Sequence, residues 1–193
     1  AFNKVLDTYL NDAHEPATYS VERTKAMLRA RQPERRPFFG DDGLPHIIAF
    51  GAKSWERYGL WPTFRRIAHF NLFDYGEVQA SMGGNTSPRV RDRLSAEFLG
   101  FVTKQDQSRL VTAWFFYADS AYIAPELLQC LAQQGIWTIV LGLDDKHRFY
   151  ERDGYGMRIG QVTLACHADL MWTTWKTGAD IILAAGGIPW YAP

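Results

Sequence analysis

The chain has 193 residues, 47% of them hydrophobic and 15% aromatic, and its 21 Lys and Arg are balanced by 21 Asp and Glu. That length allows one domain, or one domain with an added arm, and buries roughly 70% of the unfolded surface without staples. A formal net charge of zero argues against the basic footprint of a nucleic-acid binder and against a polybasic membrane anchor.

The first 45 residues differ from the rest. "FNKVLDTYLNDA" and "VERTKAMLRARQ" are short helical patterns, with Val5, Leu6 and Leu10 on one face of the first. "RQPERRPFFGDDGLP" follows as a charged Pro/Gly stretch and reads as a linker. Residues 1–45 are therefore expected to form an N-terminal helical arm and linker, a packing or interaction appendage. Residues 46–193 are expected to form the main domain.

From His46 the pattern becomes regular. "HIIAFG" is a compact apolar strand, "YGLWPTFRRI" a short helix, and "HFNLFDY" a second strand that alternates. "VQASMGGNTS" reads as a loop. A helix then opens with Ser87 as N-cap and Pro88 at its first position, and Val90, Leu94, Phe98, Phe101 and Val102 recur at helical spacing. "RLVTAWFFYA" is a continuous apolar strand ending at Asp119. "APELLQCLAQQG" is a helix closed by Gly135, and Cys130 within it reads as a buried small hydrophobe. "WTIVLGL" is the next strand, "DLMWTTW" a shorter one, "TGADIILAAG" a helical turn or two, and "IPWYAP" a final extended piece.

Strands alternating with helices in this way predict an α/β fold. The expected form is a Rossmann-like three-layer parallel sheet with helices on both faces, built on segments 46–51, 69–73, 110–118, 137–143 and 169–174. The longest apolar runs, such as "IILAAGGI", fall far short of the roughly 20 residues that a bilayer requires, so no membrane span is expected. No signal peptide is visible, and Cys130 and Cys166 read as reduced structural thiols, which points to a reducing, cytoplasmic location.

Open α/β sheets bind ligands outside the carboxyl ends of their strands. After the fourth strand the chain reads "DDKHRF", so Asp144, Asp145 and His147 arrive together at that edge. A carboxylate or imidazole there can act as a general base toward a hydroxyl, with Asp145 slightly favoured. An ion pair with Arg148 is the competing use. The group is expected to lie near the loop Ala52–Gly59. "FGAKSWERYG" is not a G-x-G-x-x-G turn, and no phosphate loop, zinc helix or nucleophile elbow occurs, so no cofactor or metal is expected. "GYGMRIG" resembles a glycine fingerprint but follows a charged stretch, and it reads as a loop.

The ordered set "SWERYGLWPTF", "FNLFDY", "YADSAYIAPELLQCLAQQGIWTIVLGLDDKHRF", "ADLMWTTW" and "GGIPWYAP" resembles the N-terminal domain of CgeB-like (spore-maturation) glycosyltransferases, over about Gly43 to Pro193. That resemblance implies the two-domain GT-B architecture and transfer of a sugar from a nucleotide-activated donor to a hydroxyl acceptor, without a structural metal. It makes this chain the acceptor side; Ser54, Glu56, Gly59, Asp119 and Tyr122, which follow the first and third strands, are the candidate substrate contacts. The donor-binding C-terminal domain would be absent, and would pack on the carboxyl edge of the sheet. The chain alone would then be inactive. One departure is Ala124, which stands before Pro125 where Ser would cap better. The competing expectation is a catalytically silent Rossmann-like binding module within a larger protein.

Overall fold

The computed structural model of the chain describes residues 18–84, 87–106, 111–142, 151–152 and 158–192. Six strands form one all-parallel sheet: β1 (His46–Gly51), β2 (His69–Asp74), β3 (Val111–Phe116), β4 (Thr138–Gly142), β7 (Leu170–Thr173) and β8 (Pro189–Tyr191). Their spatial order is β2-β1-β3-β4-β7-β8. A two-residue pair, β5 (Glu151–Arg152) with β6 (Arg158–Ile159), makes a separate antiparallel ladder. The Rossmann-like α/β expectation is therefore correct.

The helices are α1 (Val21–Arg31), α2 (Leu60–Ile67), α3 (Tyr75–Ser81), α4 (Pro88–Gln105), α5 (Pro125–Gln133) and α6 (Lys176–Ala184). Parallel crossovers are right-handed, so the direction of each step decides its face. The step from β1 to β2 runs one way and places α2 on one face; later steps run the other way and place α3 to α6 on the opposite face. On the α3–α6 face, Val90, Leu94, Phe98 and Val102 of α4 form a buried stripe. They meet Ile48, Phe50, Phe73 and Phe115 from the sheet. Phe50 sits at the centre of this aromatic packing, with ring centroids of Tyr75, Phe98, Phe73 and Phe115 at 4.9, 5.4, 5.7 and 5.8 Å. On the other face, Trp61 and Phe64 of α2 pack on Ile47, Ala49 and Phe116. Farther along that face, Lys25 and Leu28 of α1 border an apolar groove of about 480 Å³ floored by Trp114, Ile139 and Leu170.

The local signals explain the element ends. Ser87 Oγ accepts from Val90 N at 3.3 Å, and Pro88 occupies the first turn of α4. Gly135 closes α5 at φ +75°, a backbone angle that a Cβ penalises. Ala124 gives α5 no side-chain cap; its own N–H donates to Ser95 Oγ at 2.9 Å.

Several expectations need correction. The first half of "VQASMGGNTS" belongs to α3, because Asp74 caps that helix by accepting from Gly76 N and Tyr75 anchors it in the core. "IPWYAP" supplies a sixth strand, since β8 pairs with β7. The third strand ends at Phe116, where Tyr117 turns the chain out at φ +55°. Cys130 is half-buried rather than buried, and Cys166 is exposed; both are free thiols. Arg158 and Ile159 of "GYGMRIG" form a short strand; 154–157 lie outside the described residues.

The arm is tied down. Asp169, 0% exposed, takes Arg35 in a bidentate pair at 2.8 and 3.1 Å and lies 3.4 Å from Arg31. Thr24 Oγ1 donates to the Pro189 carbonyl at 2.8 Å, and Trp137 Nε1 to the Arg36 carbonyl at 2.9 Å. The stretch read as a linker thus runs along the sheet and pairs with it. The "FNKVLDTYLNDA" segment lies outside the described residues.

Candidate functional site

The strand order reverses between β1 and β3, because β1 connects outward to β2 and the chain then returns to β3 on its other side. At such a switch point the loops leaving the two strands diverge to opposite faces and open a crevice at the carboxyl edge. Here the crevice is lined by the loop from Ala52 to Gly59 and by the turn from Tyr117 to Tyr122.

Glu56 joins the two loops. Its Oε1 accepts a short hydrogen bond from the Tyr117 hydroxyl, and its Oε2 accepts from Leu60 N at 3.2 Å. The carboxylate is held from both sides, at the first turn of α2. A side chain at Gly59 would bring a Cβ to 2.7 Å from Glu56 Oε2, so glycine there makes room for the carboxylate. Tyr117 supplies its hydroxyl from a left-handed backbone, a conformation that costs a non-glycine residue about 1–3 kcal/mol. Trp55, 56% exposed, lies with its ring 5.7 Å from Tyr117 and 6.1 Å from Tyr75. Tyr75 in turn meets Tyr122 at 5.1 Å.

Asp119 is 2% exposed, and its Oδ1 accepts from Ala121 N at 2.7 Å while its carbonyl accepts from Tyr122 N and Ile123 N. It shapes the turn after β3, the use that an aspartate most often has there. Ser54 is exposed and lines an open cleft of about 920 Å³ on the β2 side of the crevice. Ser54, Glu56 and Gly59 therefore share one loop, and Asp119 and Tyr122 share the adjacent one. Asp144, Asp145 and His147 lie outside the described residues. Among the described residues no group of three or more His, Cys, Asp or Glu side chains is arranged to hold a metal ion, and no helix is long and apolar enough to cross a membrane.

Sequence reasoning missed Tyr117, Trp55 and the cations Lys53, Arg57 and Arg65 that line the cleft. Tyr117 is hidden near the end of the apolar run "RLVTAWFFYA", and only its φ singles it out. Trp55 and Tyr58, exposed aromatics in "GAKSWERYG", were the available signal.

No protein family, curated protein or solved structure matches the chain.

Proposed function

We propose that this chain forms the acceptor side of a glycosyltransferase that moves a sugar from a nucleotide-activated donor to a hydroxyl. The observation that supports it is the Glu56–Tyr117 pair at the switch point, a fixed carboxylate flanked by the exposed ring of Trp55. A carboxylate held by two donors keeps lone pairs for an acceptor hydroxyl, and an exposed indole offers the flat apolar surface on which a sugar ring stacks.

In this reading Glu56 orients the acceptor hydroxyl and Asp145 takes its proton. The acceptor oxygen attacks the anomeric carbon, the bond from that carbon to the nucleotide diphosphate breaks, and the electron pair leaves with the diphosphate. Sugar transfer and release of the diphosphate are then coupled to one proton moving from the acceptor to the base.

The test is sugar transfer by the full polypeptide that carries this chain, with nucleotide sugars and hydroxyl acceptors varied in turn. Asp145→Asn is expected to lower turnover about 100-fold or more as loss of a general base. Glu56→Gln is expected to act mainly on the KM for the acceptor. Absence of transfer with every donor, or full activity in both variants, would remove the proposal.

A further inference from the structure

The open cleft beside the crevice has a chemistry of its own. Three cations face it, Lys53 and Arg57 from the loop after β1 and Arg65 from α2. None of the three forms an ion pair with a described residue. Arg57 instead lies over the Tyr58 ring at 5.2 Å and Arg65 over the Phe70 ring at 5.8 Å. A contact over the ring face leaves the in-plane N–H donors of a guanidinium uncommitted.

A second observation is independent of the charges. Trp61 lines the same cleft and is 2% exposed, yet its indole N–H finds no acceptor among the described residues. A buried donor without a partner is costly, and native proteins leave few of them. The ring itself cannot shift easily, because it packs against Phe116 at 4.7 Å and Phe70 at 5.7 Å. A Cβ at Gly51 would come within 2.9 Å of it. The buried ring is thus a rigid part of the cleft lining.

The opposite wall carries Asp74 and Glu77. Asp74 Oδ1 is occupied by Gly76 N at 3.0 Å, but carboxylate oxygens on this wall retain capacity to accept from hydroxyl groups. Three cations without an ion-pair partner among the described residues suit a dianion better than a single carboxylate. Acceptors facing them suit a polyol.

We propose that the cleft beyond the β1 and β2 carboxyl ends binds a phosphate-bearing, hydroxyl-rich small molecule, a sugar phosphate in chemical class. The phosphate sits among Lys53, Arg57 and Arg65, and the hydroxyls face Asp74 and Glu77. The site does not depend on sugar transfer, and a protein without transferase activity would keep it.

Isothermal titration of the 193-residue chain with glucose 1-phosphate, glucose and inorganic phosphate tests this directly. Glucose 1-phosphate is expected to bind saturably and at least about tenfold tighter than either part alone, with affinity falling as salt rises. The double variant Arg57→Gln/Arg65→Gln is expected to weaken binding about tenfold or more. Melting curves check that each variant is folded. If the double variant does not fold, Lys53→Gln on the exposed loop carries the same expectation. No saturable binding of glucose 1-phosphate, equal affinity for glucose, or an affinity untouched in the folded cation variants would overturn the proposal.

Discussion

At the scale of single residues, the site is built from groups whose partners are already spoken for. Glu56 is gripped by Tyr117 and by the amide of Leu60, and Gly59 stays bare to leave it space. Tyr117 keeps an unfavourable φ because Tyr117 N donates to the Leu141 carbonyl at 2.9 Å and its ring meets Trp55 and Phe116. Strain held by several contacts at a sheet edge is the pattern from which a functional role is inferred. At the opposite edge Asp42 gives a pH prediction. The hydrogen bond with His69, followed by that from the Leu44 amide, holds its carboxyl below the usual 3.8. Its folded value is thus lower than its unfolded value, so the unfolded chain binds more protons in that window and stability rises with pH across it. The contribution is full above the usual carboxylate range and disappears as pH falls through the lowered value. Melting temperature against pH for wild type and Asp42→Asn should therefore differ near neutrality and converge in acid. Curves that stay parallel into acid would contradict the assignment. The effect is small because the group is solvated.

At the scale of elements, the arm is fastened by charge in a place where charge is expensive. Asp169 is fully buried at the start of β7, and Arg35, with a side chain only 9% exposed, reaches it from the stretch after α1. The carboxylate is also fully used within the sheet, accepting from Thr138 N at 2.9 Å. Such a group is compensated only while its partners remain. Asp169→Ala leaves Arg35 without its carboxylate and Thr138 N without its acceptor. The expected loss is about 3–5 kcal/mol of unfolding free energy, read from urea denaturation. A loss below about 1 kcal/mol would mean that the arm is held by its other hydrogen bonds and its apolar contacts, with little from the ion pair. The same logic separates α1 from α4: the first contributes one buried residue, Thr24, and depends on its latches, whereas the second carries a full apolar stripe.

At the scale of the whole molecule, the sheet is loaded unevenly. Among the described residues four helices cover one face, while α2 and the arm cover the other, where the arm borders the apolar groove. β1, β3 and β4 are flanked on both sides and almost wholly buried; β2 is an edge with exposed His69 and Asn71, and β8 is the other edge. Amides open with a free energy set by the packing around them. Hydrogen exchange followed by mass spectrometry should find β1, β3 and β4 protected to the limit of global unfolding, with β2 and β8 exchanging sooner. Equal protection across all six strands would show that the edges are covered by something other than the described residues.

Much of this was legible along the chain. Apolar runs bounded by Gly, Pro and Asp marked β1 to β4 and β7, because a strand buried on both faces tolerates few polar residues. Ser87, Pro88 and Gly135 marked helix ends, because capping is local chemistry between residues a few positions apart. Alternation of strand and helix was enough for a parallel sheet, through the right-handed crossover. The sequence also brought Ser54, Glu56 and Asp119 to the carboxyl edge, since any residue that follows a parallel strand arrives there. What it left open depends on partners distant in the chain. Arg35 and Asp169 are 134 positions apart, and each alone reads as a surface charge. Tyr117 and Glu56 are 61 apart, and neither predicts the other. Glu56 lies close to Lys53 and Arg57 in sequence, and only folding decides that neither it nor any other described carboxylate pairs with the three cations of the cleft. Local signals are written into neighbouring residues; pairing across the sheet is set by strand order, and strand order is a property of the packed core.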